Sequence, residues 1–331
     1  MDHAILVMSL LVVVALMFDF MNGFHDAANS IALMVSTRLL TPQAAVLWAA
    51  FFNFIAFLVF GTAVAKMVGK GIVDPNIVDN AVIFGALTGA ITWNFITWWF
   101  GIPSSSSHAL VGGLVGAGVA KAGSSAVIAA GLIKTSAAIL LSPLFGMLLA
   151  LLLMILVLWI VEKRSPYSTE RVFNKLQFVS SSLYSLGHGG NDAQKTMGII
   201  TVLLFANGYQ TDFEIKGWVI MSCQVAMALG TLFGGWRIVR TMGMGITRIR
   251  PSGGFCAQTS GAIALFIATY FGIPVSTTHT ITGAIIGVGL SRRVSAVRWG
   301  LASRIVWAWV LTIPCSGLVA ATAYHIGKTF L

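Results

Sequence analysis

Apolar stretches recur along the whole chain, at residues 5–18, 44–65, 137–161, 218–233, 261–271 and 305–324, and they restrict the fold more than any other feature. A helix needs about 20 such residues to cross the hydrocarbon core of a bilayer. Charged residues are only 9% of the 331 positions and hydrophobic ones 57%, against about 25% charged in soluble domains. The sequence therefore reads as an all-α polytopic membrane protein, not a soluble enzyme with a large core. The first apolar run lacks a basic leader and a small-residue cleavage site, so it reads as a retained membrane helix. Cys223, Cys256 and Cys315 show no CxxC spacing and suit core packing rather than a disulfide framework.

Internal duplication comes next. "GIPSSSSH" at residues 101–108 returns as "GIPVSTTH" at 272–279, an offset of 171 from His108 to His279. The same offset takes Gly112 to Gly283, Gly116 to Gly287, Pro143 to Pro314 and Gly146 to Gly317. "NGFHDAANS" at 22–30 pairs with "HGGNDAQKT" at 188–196, taking Asp26 to Asp192 at an offset of 166. Three pairs in one order predict two copies of one unit. The expected organisation is a first membrane repeat over 1–161, a short cytoplasmic loop over 162–176 and a second membrane repeat over 177–331.

Each repeat is expected to begin with a long helix broken at its Asp motif, over residues 4–36 and 173–205. Gly23 in one copy, and Gly187, Gly189 and Gly190 in the other, supply the break. A plain spanning helix follows, over 44–65 and 217–236. A re-entrant helical hairpin then turns at Gly-Ile-Pro, over 81–120 and 254–289. The last helix carries a proline near its middle, over 127–161 and 298–326. Three crossings per unit make the second copy inverted. Charge agrees with an N-terminus outside: Arg38, Arg164, Arg171, Arg237, Arg240, Arg248, Arg250, Arg292, Arg293, Arg298 and Arg304 all fall in inside segments. Lys121 and Lys134 are the exceptions. Both termini are expected outside, in a multi-pass protein of the plasma (inner) membrane. The net charge of +10 follows from this topological bias, and nucleic acid is not an expected partner.

Inverted repeats with broken helices characterise secondary transporters, whose sites lie near the midplane between repeats. At each hairpin tip a helix starts inside a hydroxyl run, Ser104, Ser105, Ser106 and Ser107 in one copy and Ser276, Thr277 and Thr278 in the other. Free N–H groups and a positive helix end make such a start an anion site, though serine and threonine also serve as ordinary N-caps. Two facing tips form a cradle for a tetrahedral oxyanion. Asp26 and Asp192 are costly in a membrane helix, which marks them as functional. A carboxylate there can hold Na⁺, accept a transported proton, or accept the O–H of hydrogen phosphate. His25 stands where the second copy has Asn191, and a histidine beside a carboxylate suggests proton coupling. Na⁺ held at Asp26, Asn29, Asn191 and Asp192 is the competing assignment. Asn22, Gln194, Lys195, His108 and His279 are supporting residues, and Asp19 is a weaker candidate. The glycines after each tip follow small-xxx-small spacing, which permits close helix packing. Without GxxxxGK[ST] an ATP-driven pump is unsupported. No cofactor and no catalytic constellation are expected, so the chain does not read as an enzyme.

At "GFHDAANS", "GHGGNDAQKT", "GIPSSSSH" and "GIPVSTTH" the sequence resembles the PiT family of inorganic phosphate transporters, of the bacterial low-affinity type. The resemblance covers nearly the whole chain. It implies symport of inorganic phosphate with H⁺ or Na⁺, with site roles on Asp26, Asn29, Ser105, Ser106, Asn191, Asp192, Ser276, Thr277 and Thr278. His25 departs from the asparagine of the family motif, which favours proton over sodium. Sulfate is the alternative anion, and a cation exchanger is the alternative from another class. Besides phosphate the expected partners are membrane lipid and, in a homodimer, a second copy of the chain.

Overall fold

The computed structural model describes residues 3–331, all of them helix or connection. The first half contains α1 (His3–Ser36), α2 (Pro42–Phe54), α3 (Ala63–Gly71), α4 (Asn80–Trp99), α5 (Ser106–Ala122) and α6 (Ala129–Val161). The second contains α7 (Pro166–Ala206), α8 (Gly217–Phe233), α9 (Trp236–Arg240), α10 (Pro251–Tyr270), α11 (Thr277–Leu290) and α12 (Trp299–Gly327). The two series match element for element. Among the described residues, five helices are long and apolar enough to span a membrane, or up to seven if each bent pair counts as one span. Leu152 and Ile160 on α6 and Val310 and Leu318 on α12 point outward, whereas Asp19, Asp26, Asp192 and Lys195 are enclosed. That inside-out partition is the one a lipid solvent imposes on a multi-pass protein.

Each half has a broken helix, but not the one expected. α1 and α7 run uninterrupted through Asp26 and Asp192. The breaks fall in the next element, where Pro42–Leu58 meets Ala63–Gly71 at 83° and Gly217–Phe233 meets Trp236–Gly245 at 61°. The motif glycines serve packing instead of unwinding. A Cβ on Gly23 would collide with the Met227 carbonyl of α8, and one on Gly189 with the Asn53 carbonyl of α2. Gly190 lies against the Phe60 ring, beside the α2–α3 break. The polar stretch after α6 is also shorter as a loop than expected, because Ser165 caps α7 and Pro166 starts it.

Both hairpins close with the same local structure. Gly101 and Gly272 each have φ near +65°, a conformation glycine adopts without the Cβ penalty. Ile102 N–H then donates to the Thr97 carbonyl at 2.9 Å, and Ile273 N–H to the Ala268 carbonyl at 2.8 Å. α6 is one uninterrupted helix containing Pro143, as α12 contains Pro314.

Packing between the halves is reciprocal. α12 covers the first hairpin, α4 and α5, while α6 covers the second, α10 and α11. Gly116 abuts the Gly317 backbone and Gly287 the Met147 backbone, next to Gly146. Contact i–j recurring as j–i is the mark of two-fold related surfaces. The small-xxx-small glycines are therefore where helices of opposite halves touch.

Candidate functional site

The ends of α5 and α11 meet inside the molecule. Ser107 Oγ donates to the Val275 carbonyl at 3.2 Å, and the His108 and His279 rings lie 4.2 Å apart, centre to centre. Two of the seven tip hydroxyls act as caps. Ser105 Oγ accepts from His108 N–H at 3.3 Å and Ser276 Oγ from His279 N–H at 3.1 Å, each satisfying one orphan donor of its helix start. Ser104 donates to Thr97 Oγ1 at 2.8 Å, leaving Ser106, Ser107, Thr277 and Thr278 on the inner face. Ser106 Oγ is buried and unpartnered.

Both Asp motifs reach this point. On α1, Asn29 Nδ2 donates to Thr278 Oγ1 at 2.8 Å and to Thr277 Oγ1 at 3.3 Å. Thr278 Oγ1 donates to Asp26 Oδ1 at 3.3 Å, and Thr277 Oγ1 to Asp192 Oδ2 at 3.0 Å. Adjacent threonines of one tip thus bind the carboxylates of both halves. Lys195, fully enclosed, donates to Asp192, to Ser107 of the first tip and, at 3.2 Å, to the Val275 carbonyl of the second. Tyr184 OH donates to the Thr277 carbonyl at 3.1 Å.

Two imidazoles stand beside the carboxylates. His25 Nδ1 is 2.7 Å from Asp26 Oδ1, and His25 Nε2 is 3.1 Å from Thr97 Oγ1. His188 Nε2 is 3.3 Å from Asp192 Oδ2, and its Nδ1 is 3.3 Å from Asn53 Oδ1. One ligand atom each from Asp26, His188 and Asp192 lies within 4.8 Å of the others. Two carboxylate oxygens and a ring nitrogen at that spacing suit a hard cation. The threonine and serine hydroxyls, the Lys195 ammonium and the first N–H groups of α5 and α11 suit an oxyanion.

Other expected residues lie elsewhere. Asn191 faces the back of the second hairpin, donating to Thr269 Oγ1 at 3.0 Å and to the Ile273 carbonyl at 3.4 Å. Gln194 caps α3 instead, its Oε1 accepting from Val64 N–H at 2.9 Å and Ala65 N–H at 3.2 Å. Asn22 contacts Met227 Sδ at 3.8 Å. His108 and His279 brace the tips, with Trp309 stacked on His279 at 3.7 Å and donating to the Pro103 carbonyl at 3.1 Å. Asp19 is enclosed on α1, and among the described residues neither of its oxygens has a hydrogen-bond partner. His188 and Tyr184 were missed. The signal was available: Tyr184, His188 and Asp192 follow at four-residue steps, hence on one helix face, with Lys195 beside them.

The signature described as "PHO4: Phosphate transporter family" matches residues 22–320. A protein of Rhizobium meliloti (strain 1021) described as "Probable low-affinity inorganic phosphate transporter" is 65% identical over 315 residues, covering 95% of this chain and 94% of its own length. One of Bacillus subtilis (strain 168) with the same description is 46% identical, covering 98% of each. Among solved structures, "The sodium-dependent phosphate transporter" superposes with a TM-score of 0.90 at 25% identity, covering 98% of this chain and 100% of the other.

Proposed function

Because the chain belongs to the PHO4 phosphate transporter family, we propose that it imports inorganic phosphate by cation symport, with the proton as the coupling ion. The phosphate lies between the two hairpin tips. Ser106, Ser107, Thr277 and Thr278 donate to its oxygens, and Lys195 supplies the opposite charge. Ser104, Ser105 and Ser276 shape the cradle through their caps and bonds. Asp26 and Asp192 accept the O–H of the protonated anion, an interaction sulfate cannot offer at neutral pH. The observation that carries this reading is the pair of bonds from Thr277 and Thr278 to Asp192 and Asp26. Displacing those carboxylates from the hydroxyls frees donors for phosphate and acceptors for its proton in one movement.

The 2.7 Å contact of His25 with Asp26 supports the proton. An imidazole in contact with a carboxylate provides a site at which a proton is taken up and passed on, and an Asp26 carrying that proton loses its repulsion for the anion. Sodium is the second reading, supported by the grouping of Asp26, His188 and Asp192 and by the likeness to a solved sodium-dependent phosphate transporter. In the further proposed arrangement the halves are inverted repeats about an axis in the membrane plane. Both termini are then outside the inner membrane, and the arginine-rich turns are inside. The test is uptake of labelled phosphate into proteoliposomes without sodium under an inward proton gradient. Accumulation establishes proton symport; uptake that requires sodium and ignores pH establishes the second reading. Sulfate uptake at an equal rate would remove phosphate as the specific substrate, and cation flux with no anion would point to an exchanger.

A further inference from the structure

Away from the transport site, a cavity of about 620 Å³ opens where α6 turns into α7 and where both arms of the second hairpin begin and end. Arg164, Arg250 and Arg292 line it together with Glu162 and Glu170. Three guanidiniums and two carboxylates share this recess, yet among the described residues none of them forms an ion pair. Burial, and then the Arg250 charge, hold the Arg292 guanidinium below its ordinary value, as expected for like charges facing one space. Opposite charges that line one cavity without closing on each other suit a ligand carrying both signs.

The surroundings say where such a ligand comes from. Leu158 and Val161 form an apolar wall of the recess, continuous with the outward face of α6, where Trp159 is 77% exposed. An exposed tryptophan at the end of an apolar helix marks the headgroup level of a bilayer. Basic pockets between membrane helices at that level receive lipid headgroups. We propose that the recess binds an aminophospholipid, with its phosphodiester against Arg250 and Arg292 and its primary ammonium against Glu162 and Glu170. Arg250 immediately precedes α10, and Arg292 follows the end of α11. A headgroup bridging them to the α6–α7 turn ties the root of the second hairpin to the junction between the halves.

The test uses purified full-length protein in detergent, with phosphatidylethanolamine, phosphatidylglycerol or phosphatidylcholine added, and with inorganic phosphate as a separate arm. Thermal unfolding and native mass spectrometry of retained lipid are the readouts. Phosphatidylethanolamine should raise the unfolding temperature and be retained over the other two. The pair Arg250→Gln with Arg292→Gln should lose that shift. Glu162→Gln with Glu170→Gln should instead erase only the preference over phosphatidylglycerol, so this second variant decides the matter if the first fails to fold. Equal stabilisation by all three lipids, an unchanged response in both variants, or protection by inorganic phosphate equal to that by lipid would overturn the proposal.

Discussion

His25 and Asn191 hold equivalent places in the two halves, each bonded to the threonine near the end of its own half's hairpin arm: His25 Nε2 lies 3.1 Å from Thr97 Oγ1, and Asn191 Nδ2 is 3.0 Å from Thr269 Oγ1. The difference is the second ring nitrogen, which adds the contact to Asp26. His25→Asn should therefore preserve the bracing and remove only a titratable group. The expected result is folded protein whose sodium-free uptake no longer responds to an inward pH gradient. An unaltered pH response would show that His25 only braces.

The two carboxylates should separate by stability as well as by transport. Asp26→Asn and Asp192→Asn should each abolish coupled phosphate uptake. Only Asp192→Asn strands the enclosed Lys195 ammonium, and breaking one side of a buried pair costs about 3–5 kcal/mol. Adding Lys195→Met to Asp192→Asn should recover most of that loss without restoring uptake. Detergent-solubilised unfolding temperatures and uptake rates on the same preparations provide the comparison.

Gln194 makes a sharper case, because an acid can replace it chemically. Gln194→Leu leaves two N–H groups at the start of α3 without an acceptor, an expected loss of about 1–3 kcal/mol. Protonated, Gln194→Glu keeps both the acceptor and a donor toward the Gly190 carbonyl, which Gln194 Nε2 supplies in the native chain, so at acidic pH it should stay closer to wild type. If the two variants are equally stable, the capping role is wrong.

The inter-half contacts predict a third pattern. Gly116→Ala and Gly287→Ala each put a methyl group into a carbonyl of the opposite half, and such overpacking costs about 1–3 kcal/mol. Gly300→Ala, in open space on α12, should be neutral in the same unfolding assay. Equal effects at all three positions would contradict the tight backbone contact.

Much of this was legible because duplication shows in the sequence directly. The hairpins, their hydroxyl-rich helix starts and the paired aspartates all follow from matched motifs. The continuity of α1 and α7 was not legible, because a glycine reads the same whether it unwinds its own helix or admits a neighbour. Gly23 and Gly189 are explained by Met227 and Asn53, contacts between distant parts of the chain that no local pattern announces. The breaks had unequal signals: Gly234–Gly235 is visible as one, whereas the first break has Gly61 alone. Gln194 looked like a site residue because it lies in the motif, yet its side chain points across to another helix.

The exchange of covering helices also has a consequence in time. α5 ends at Ala122 and its cover α12 begins at Trp299, 177 positions later. At a synthesis rate of about 5–20 residues per second, the first hairpin waits roughly 10–35 s before the helix that packs on Gly112 and Gly116 emerges. Throughout that interval its small-residue face lacks the α12 backbone that packs on it in the finished fold. α6, by contrast, is made before the hairpin it covers and needs only to stay in place. The first half is thus the older part of every nascent molecule and the last to be finished.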